Sequence, residues 1–158
     1  MEKEHVPAST DTSQGRSGMT RDEIVTFFAR RQELYDDLDA AALAADYADD
    51  AVIESPTAGI HTGRAAAEQA MRAIFAAFLD RKMTTESLLI DGDRVAQIVT
   101  LEGTHIGQFM GLPPSGKRFR FNAVFLCELR DRQIVRERRI YDFTGLLVQI
   151  GALKAKPA

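Results

Sequence analysis

The stretch Ile134-Val-Arg-Glu-Arg-Arg-Ile-Tyr-Asp142, running without a break into Phe143-Thr-Gly-Leu-Leu-Val-Gln-Ile-Gly151, decides how this chain is built. Its first half is strongly β-forming and its second half is a short apolar helix, so a strand hands over to a helix at Asp142. Alternate residues of a strand share a face, which groups Arg136, Arg138, Ile140 and Asp142 on one side and Glu137, Arg139 and Tyr141 on the other. A carboxylate at the buried end of a strand is costly unless it is paired, hydrogen-bonded or neutralised. That cost marks Asp142 as a residue kept for chemistry; the plainer reading is an N-cap for the helix starting near Thr144.

Working backwards, the turn Asp131-Arg-Gln133 joins this strand to another over 118–130, and a Gly/Pro loop over 107–117 precedes that. Strands over 83–90 and 94–106 flank Asp91-Gly-Asp93, a hairpin turn by its chemistry. Before Met83 the period becomes helical. Thr20-Arg-Asp-Glu23 is a capping box, worth about 1 kcal/mol, and behind it Ile24, Phe27, Phe28, Leu34 and Tyr35 carry a helix to about Leu38. Asp39 caps a second helix over 40–47, and Ala51-Val-Ile-Glu54 is a short strand stopped by Ser55-Pro56. A third, Ala-rich helix over 63–79 shows Ala67, Met71, Ile74, Phe75 and Phe78 on one face. Helices followed by a meander of strands give an α+β domain with its helices packed on one face of a curved antiparallel sheet.

The chain has 158 residues, enough for one core, and 20 basic against 23 acidic residues leave a net charge of -3. Mixed charges of this kind are not a nucleic-acid footprint, the cluster Arg136, Arg138 and Arg139 being the one local exception. The single cysteine, Cys127, lies in the apolar run Ala123-Val-Phe-Leu-Cys127, so an internal disulfide is excluded and a small buried hydrophobe is the simplest role. No stretch approaches the roughly 20 apolar residues of a membrane span, and no partnership with a membrane is expected. The polar start of the chain is unlike a signal peptide, and a cytoplasmic location is expected. Residues 1–19 read as a flexible tail, 20–153 as the domain and 154–158 as a C-terminal tail.

Three marks, taken in order, carry a family resemblance. Glu102-Gly-Thr-His-Ile-Gly-Gln-Phe109, Gly111-Leu-Pro-Pro-Ser-Gly-Lys117, and Asp142-x-x-Gly145-Leu-Leu-x-Gln149-Ile-Gly151 resemble those of SnoaL-like polyketide cyclases and their ester-cyclase relatives, with the nuclear transport factor 2-like cone fold. The resemblance implies a cone-shaped, mainly antiparallel sheet with three N-terminal helices enclosing an apolar pocket. It implies that Asp142 acts as general base, without metal or organic cofactor, on a small hydrophobic carbonyl compound, giving an enolate that closes a ring. Enclosure in an apolar cone is what makes a carboxylate basic enough for that task.

Around Asp142, His105 shares a face with Leu101 and Val99 and is placed as a helper acid or a satisfied structural histidine. Arg138, standing where the family usually has Trp, is placed as a substrate or enolate contact, or as an ion-pair partner of Asp142. Tyr47 or Tyr35 is an alternative acid. Tyr47, Phe109 and Phe125 are assigned to the substrate pocket. His5, His61 and His105 lack metal-ligand spacing.

Other readings remain on the table. Both key carboxylates of the ketosteroid isomerases are missing, since their triplet here is Glu54-Ser55-Pro56 and the position of their buried acid falls on Phe125-Leu126. A cone-fold epoxide hydrolase needs an Arg-x-Asp on a strand, where this chain has Arg120-x-Asn122. A non-catalytic ligand-binding or dimerisation module would use Asp142 and Arg138 only to complete a polar network. A homodimer is expected through the face carrying Glu137, Arg139 and Tyr141.

Overall fold

The computed structural model describes residues 17–155, so most of the expected N-terminal tail and the last three residues lie outside the described residues. Ser17 and Met19 are packed against the domain: Met19 is 4% exposed and Arg132 N donates to Ser17 O at 2.7 Å. The domain therefore starts at least three residues before the capping box.

Helix α1 (Arg21–Asp36) carries that capping box, with Thr20 and Glu23 serving each other's backbone N–H groups. Its buried residues Ile24, Phe28, Arg31 and Tyr35 follow each other at four, three and four, so one face enters the core with an arginine in its middle. Helix α2 (Ala40–Ala45) is capped by Asp39. Strand β1 (Tyr47–Ser55) begins earlier than the apolar pattern predicts, because Asp49 and Asp50 do not end a helix but stand exposed on the strand. A short edge strand β2 (Gly59–Thr62) follows, and helix α3 (Arg64–Ala77) packs Ala67, Met71, Phe75 and Ala77 inward.

Strands β3 (Lys82–Asp91), β4 (Arg94–Thr104), β5 (Arg118–Arg130) and β6 (Gln133–Tyr141) follow the predicted order, and helix α4 (Phe143–Gln149) closes the domain. The six strands lie in the order β2-β1-β6-β5-β4-β3, all neighbours antiparallel except β1 with β6. The fold is thus the α+β cone the sequence implies, with a fourth helix beside the three N-terminal ones. Among the described residues no helix is long and apolar enough to cross a membrane.

One irregularity decides what the sheet presents inward. Glu128 pairs with Arg136 but Leu129 pairs with Ile134, so Val135 is an extra residue in β6, a β-bulge. Ile134 is fully buried, and unbroken alternation would carry Arg136 and Arg138 inward behind it. The bulge reverses the parity. Glu137, Arg139 and Tyr141 turn into the cone, and Arg136, Arg138 and Ile140 are exposed on the outside. The face expected to line the pocket is the outer one, and the face expected to meet a second copy is the inner one; both expectations are corrected.

Candidate active site

Between the sheet and α3 lies a narrow cavity of about 70 Å³ that opens to solvent. Its walls are aromatic. Phe78 packs against Phe109 and Phe119 with ring centroids 5.0 and 4.9 Å apart, and Tyr141 stacks on Phe121 at 5.1 Å. Phe125 completes this wall, so Phe109 and Phe125 do line the cavity. The polar lining is Arg81, Arg139, Tyr141, Thr57 and Glu102, and the Glu102 carboxylate is already held by Arg120 at 2.5 Å.

Below the cavity the buried polar groups form one network. Arg139 Nε donates to Glu137 Oε1 at 2.5 Å and its Nη2 donates to Tyr35 Oη at 3.0 Å, while its guanidinium lies 5.0 Å over Phe125, its cross-strand neighbour. Tyr47 Oη donates to Glu137 Oε2 at 2.7 Å and accepts from Arg31 Nη2 at 3.2 Å. Arg31 also reaches Asp46 at 2.9 Å and the Leu43 carbonyl at 3.2 Å. Burial alone pushes the Glu137 carboxyl up, but Arg139, Arg31 and the Tyr47 hydroxyl outweigh it and hold the group ionised below its ordinary range. Tyr47 is 0% exposed and sits in this network, away from the cavity wall.

At the mouth, Tyr141 Oη donates to Thr57 Oγ1 at 2.8 Å, and the Ser55 hydroxyl lies 2.9 Å from Thr57 Oγ1. Next along the chain stands Asp142, exposed, with Oδ1 accepting from Gly145 N at 2.8 Å as the N-cap of α4. The expectation of a buried carboxylate at this strand end is corrected, because the cap turns the side chain along the helix start. Leu146, one turn into that helix, lines the cavity. Arg138 lies on the opposite face of the sheet, 3.7 Å from Glu54, so it neither pairs with Asp142 nor reaches the cavity.

His105 follows the inward face of β4 as predicted but lies behind Phe78 and Phe109, with centroids 5.7 and 6.2 Å away. Its Nδ1 accepts from Ser115 N at 3.3 Å and meets Ser115 Oγ at 3.0 Å, while Nε2 is buried without a partner. His61 Nε2 is likewise buried and unpaired, beside a small annexe shared with Thr57 and Arg139. Among the described residues no three His, Cys, Asp or Glu side chains gather as a metal site requires.

The glycines of Glu102-Gly-Thr-His-Ile-Gly have a structural reason. A Cβ on Gly103 would lie 3.1 Å from Arg81 Cα and from the Phe119 ring, and one on Gly107 would lie 2.1 Å from Ala76 O. Only glycine lets this segment close on the end of α3, where Ile106 N and Gly107 N donate to Ala77 O. Asp80 completes the junction by accepting from Thr104 N and Oγ1, both at 2.7 Å. This clamp positions Arg81. Sequence reasoning misses Arg81, Arg139, Tyr141 and Glu137 as inward polar groups, and the signal that could reveal the β6 set is the consecutive apolar pair Ile134-Val135 at the bulge.

The comparisons with known proteins agree with this architecture. Residues 24–150 match the sequence model of the SnoaL-like polyketide cyclases. The chain is 34% identical over 107 residues to nogalonic acid methyl ester cyclase from Streptomyces nogalater, covering 67% of this chain and 78% of that one. Among solved structures, IdmH from Streptomyces antibioticus is 30% identical with a TM-score of 0.69, covering 80% of this chain and 97% of that chain. AclR from Streptomyces galilaeus is 25% identical with a TM-score of 0.76, covering 87% of both chains. With a matched span running from α1 to α4 and the cone fold in place, the chain belongs to the SnoaL-like polyketide cyclase family.

Proposed function

We propose that this protein closes a ring in a small hydrophobic carbonyl compound by general acid–base chemistry. The observation that carries the reading is a cavity walled by aromatic rings and lined by Arg139 and Tyr141. Flat rings bind against the walls, and the donors face an oxygen that gains negative charge. Asp142, which follows Tyr141 in the chain and is exposed as the cap of α4, turns from that cap to the cavity to take a proton from the carbon next to a carbonyl. The C–H electron pair becomes the enolate, held by Tyr141 and Arg139; the enolate carbon attacks a second carbonyl carbon, forming the C–C bond. The displaced π pair leaves an alkoxide, which takes up a proton, and Asp142 gives its proton back. The net reaction is an isomerisation.

The test is deuterium uptake and ring closure in an aromatic polyketide ester with an activated methylene, followed by mass spectrometry in D₂O. Wild type is expected to accelerate both. Tyr141→Phe keeps the stacking on Phe121 and loses one donor, for an expected drop of about 10² to 10³ in rate and a stability loss of about 1 kcal/mol. Wild type that binds such esters but neither exchanges nor closes them would leave a ligand-binding module, the reading that the exposed Asp142 favours.

We also place the contact of a homodimer on the outer sheet face, where Leu89, Leu126 and Ile140 are exposed. Ile140→Glu is expected to convert a dimer to a monomer in sedimentation velocity. A wild-type monomer at micromolar concentration would rule this contact out.

A further inference from the structure

We propose that the cavity takes its ligand as an anion, with the Arg81 guanidinium receiving a carboxylate or an equally compact oxyanion group. The proposal names a substrate class for the cavity already assigned to ring closure and so rests on that reading for its biological meaning. Its physical basis is a charge balance that the protein leaves open.

Three guanidinium groups face the interior: Arg31, Arg81 and Arg139. Arg31 is met by Asp46 at 2.9 Å, and Arg139 by Glu137 at 2.5 Å. Arg81 has no ion pair and no side-chain hydrogen bond among the described residues; its contacts are the faces of Phe75 and Tyr35, at 4.9 and 5.2 Å. Among the described residues Glu137 is the one buried carboxylate, and it is fully occupied by Arg139 and Tyr47. Asp36, whose charge Arg81 feels, is turned to Met83 N at 3.0 Å. The lining carboxylate Glu102 is bound to Arg120.

Cation–π contact satisfies part of a guanidinium's charge but none of its N–H donors, which lie in the ring plane of the group and point away from the faces it stacks on. Among the described residues the sealed and unpaired side-chain nitrogens are His61 Nε2 and His105 Nε2; those of Arg81 are not sealed, and Arg81 lines the cavity. Burial, aggravated by the like charge of Arg139, pulls the Arg81 pKa down to about 10, which leaves it charged at neutral pH. An arginine that is half-buried, charged and clamped at its Cα by Gly103, with unpaired donors beside an aromatic chamber, is complementary to the planar carboxylate of an aromatic or enolic acid. A neutral ester offers only one weak acceptor in the same place.

The experiment uses 4-acetylbenzoate and its methyl ester as probes, titrated into the full chain by NMR and by calorimetry without any turnover. Wild type is expected to bind the acid at least tenfold more tightly than the ester. Arg81→Met, which keeps an unbranched apolar stem against Phe75 and Tyr35, should lose tenfold or more for the acid and stay within about twofold for the ester; Arg81→Lys should recover part of the loss. Ester binding by the Met variant shows that its cavity is still folded. Equal affinity of wild type for acid and ester, no binding of either at 5 mM, or an acid affinity unmoved by Arg81→Met would each overturn the proposal. Acid-selective binding without any ring closure would sink the cyclase reading alone, and ring closure with ester preference would sink this one alone.

Discussion

Glu137→Gln is expected to destabilise the fold by about 3–5 kcal/mol, the cost of removing one partner from a buried charge pair. The glutamine keeps the shape and can still accept from Tyr47, so the loss is the charge itself, which balances Arg139 at 2.5 Å and Arg31 at 3.9 Å. Urea unfolding measures it. The double variant Glu137→Gln with Arg139→Gln should cost less than the sum of its parts, because the second change removes the cation that the first left unpaired. A loss under 1 kcal/mol for the single variant would mean that the interior is far wetter than its packing indicates.

The same group sets an acid limit. A glutamate in the unfolded chain titrates near 4.5, and Glu137 in the folded chain titrates lower. Its contribution to stability is therefore complete above about pH 4.5 and is lost as the pH falls from there through the folded value, since the unfolded state binds the proton first. Glu137→Gln has no such proton to bind and should flatten this acid limb.

Asp142→Asn separates two duties that one side chain performs. Asn is about as good an N-cap as Asp, so the bond from Gly145 N survives and the melting temperature should barely move. A carboxamide cannot take a proton from carbon, so deuterium uptake and ring closure should fall by about 10² to 10⁴, the usual worth of a positioned base. Asp142→Ala should lose the same activity and a further stability of about 1 kcal/mol. An Asn variant with undiminished activity would reduce Asp142 to a cap and move the base elsewhere in the cavity.

The order of elements was readable because each segment carries its own period and its own punctuation: the capping box at Thr20, the Asp-Gly turn at Gly92, the handover at Asp142. Family membership was readable because its marks include glycines whose backbones must touch other backbones, as at Gly103 and Gly107. The interior polar set was not. Arg31 and Glu137 look like surface charges in a one-dimensional pattern, since the partners that make them tolerable inside, Asp46 and Tyr47 for the one and Arg139 and Tyr47 for the other, are assembled around them only by the fold. The side to which Arg138 and Arg139 point depends on a residue count in β6, and pattern reading assumes strict alternation. Asp142 illustrates a third limit, because a strand end and a helix cap share the same residue preference.

The inserted Val135 has a consequence for how such a protein can change. Strand β6 bears two complete inventories, Glu137, Arg139 and Tyr141 within and Arg136, Arg138 and Ile140 without. Straightening the strand with Val135 kept would trade them wholesale, emptying the chamber of its hydroxyl and its matched ions, whereas deleting Val135 would restore a regular ladder and leave both sets where they are. Which set lines the chamber thus hangs on how a single valine is accommodated at a position remote from the mouth, with every cavity residue left as it was.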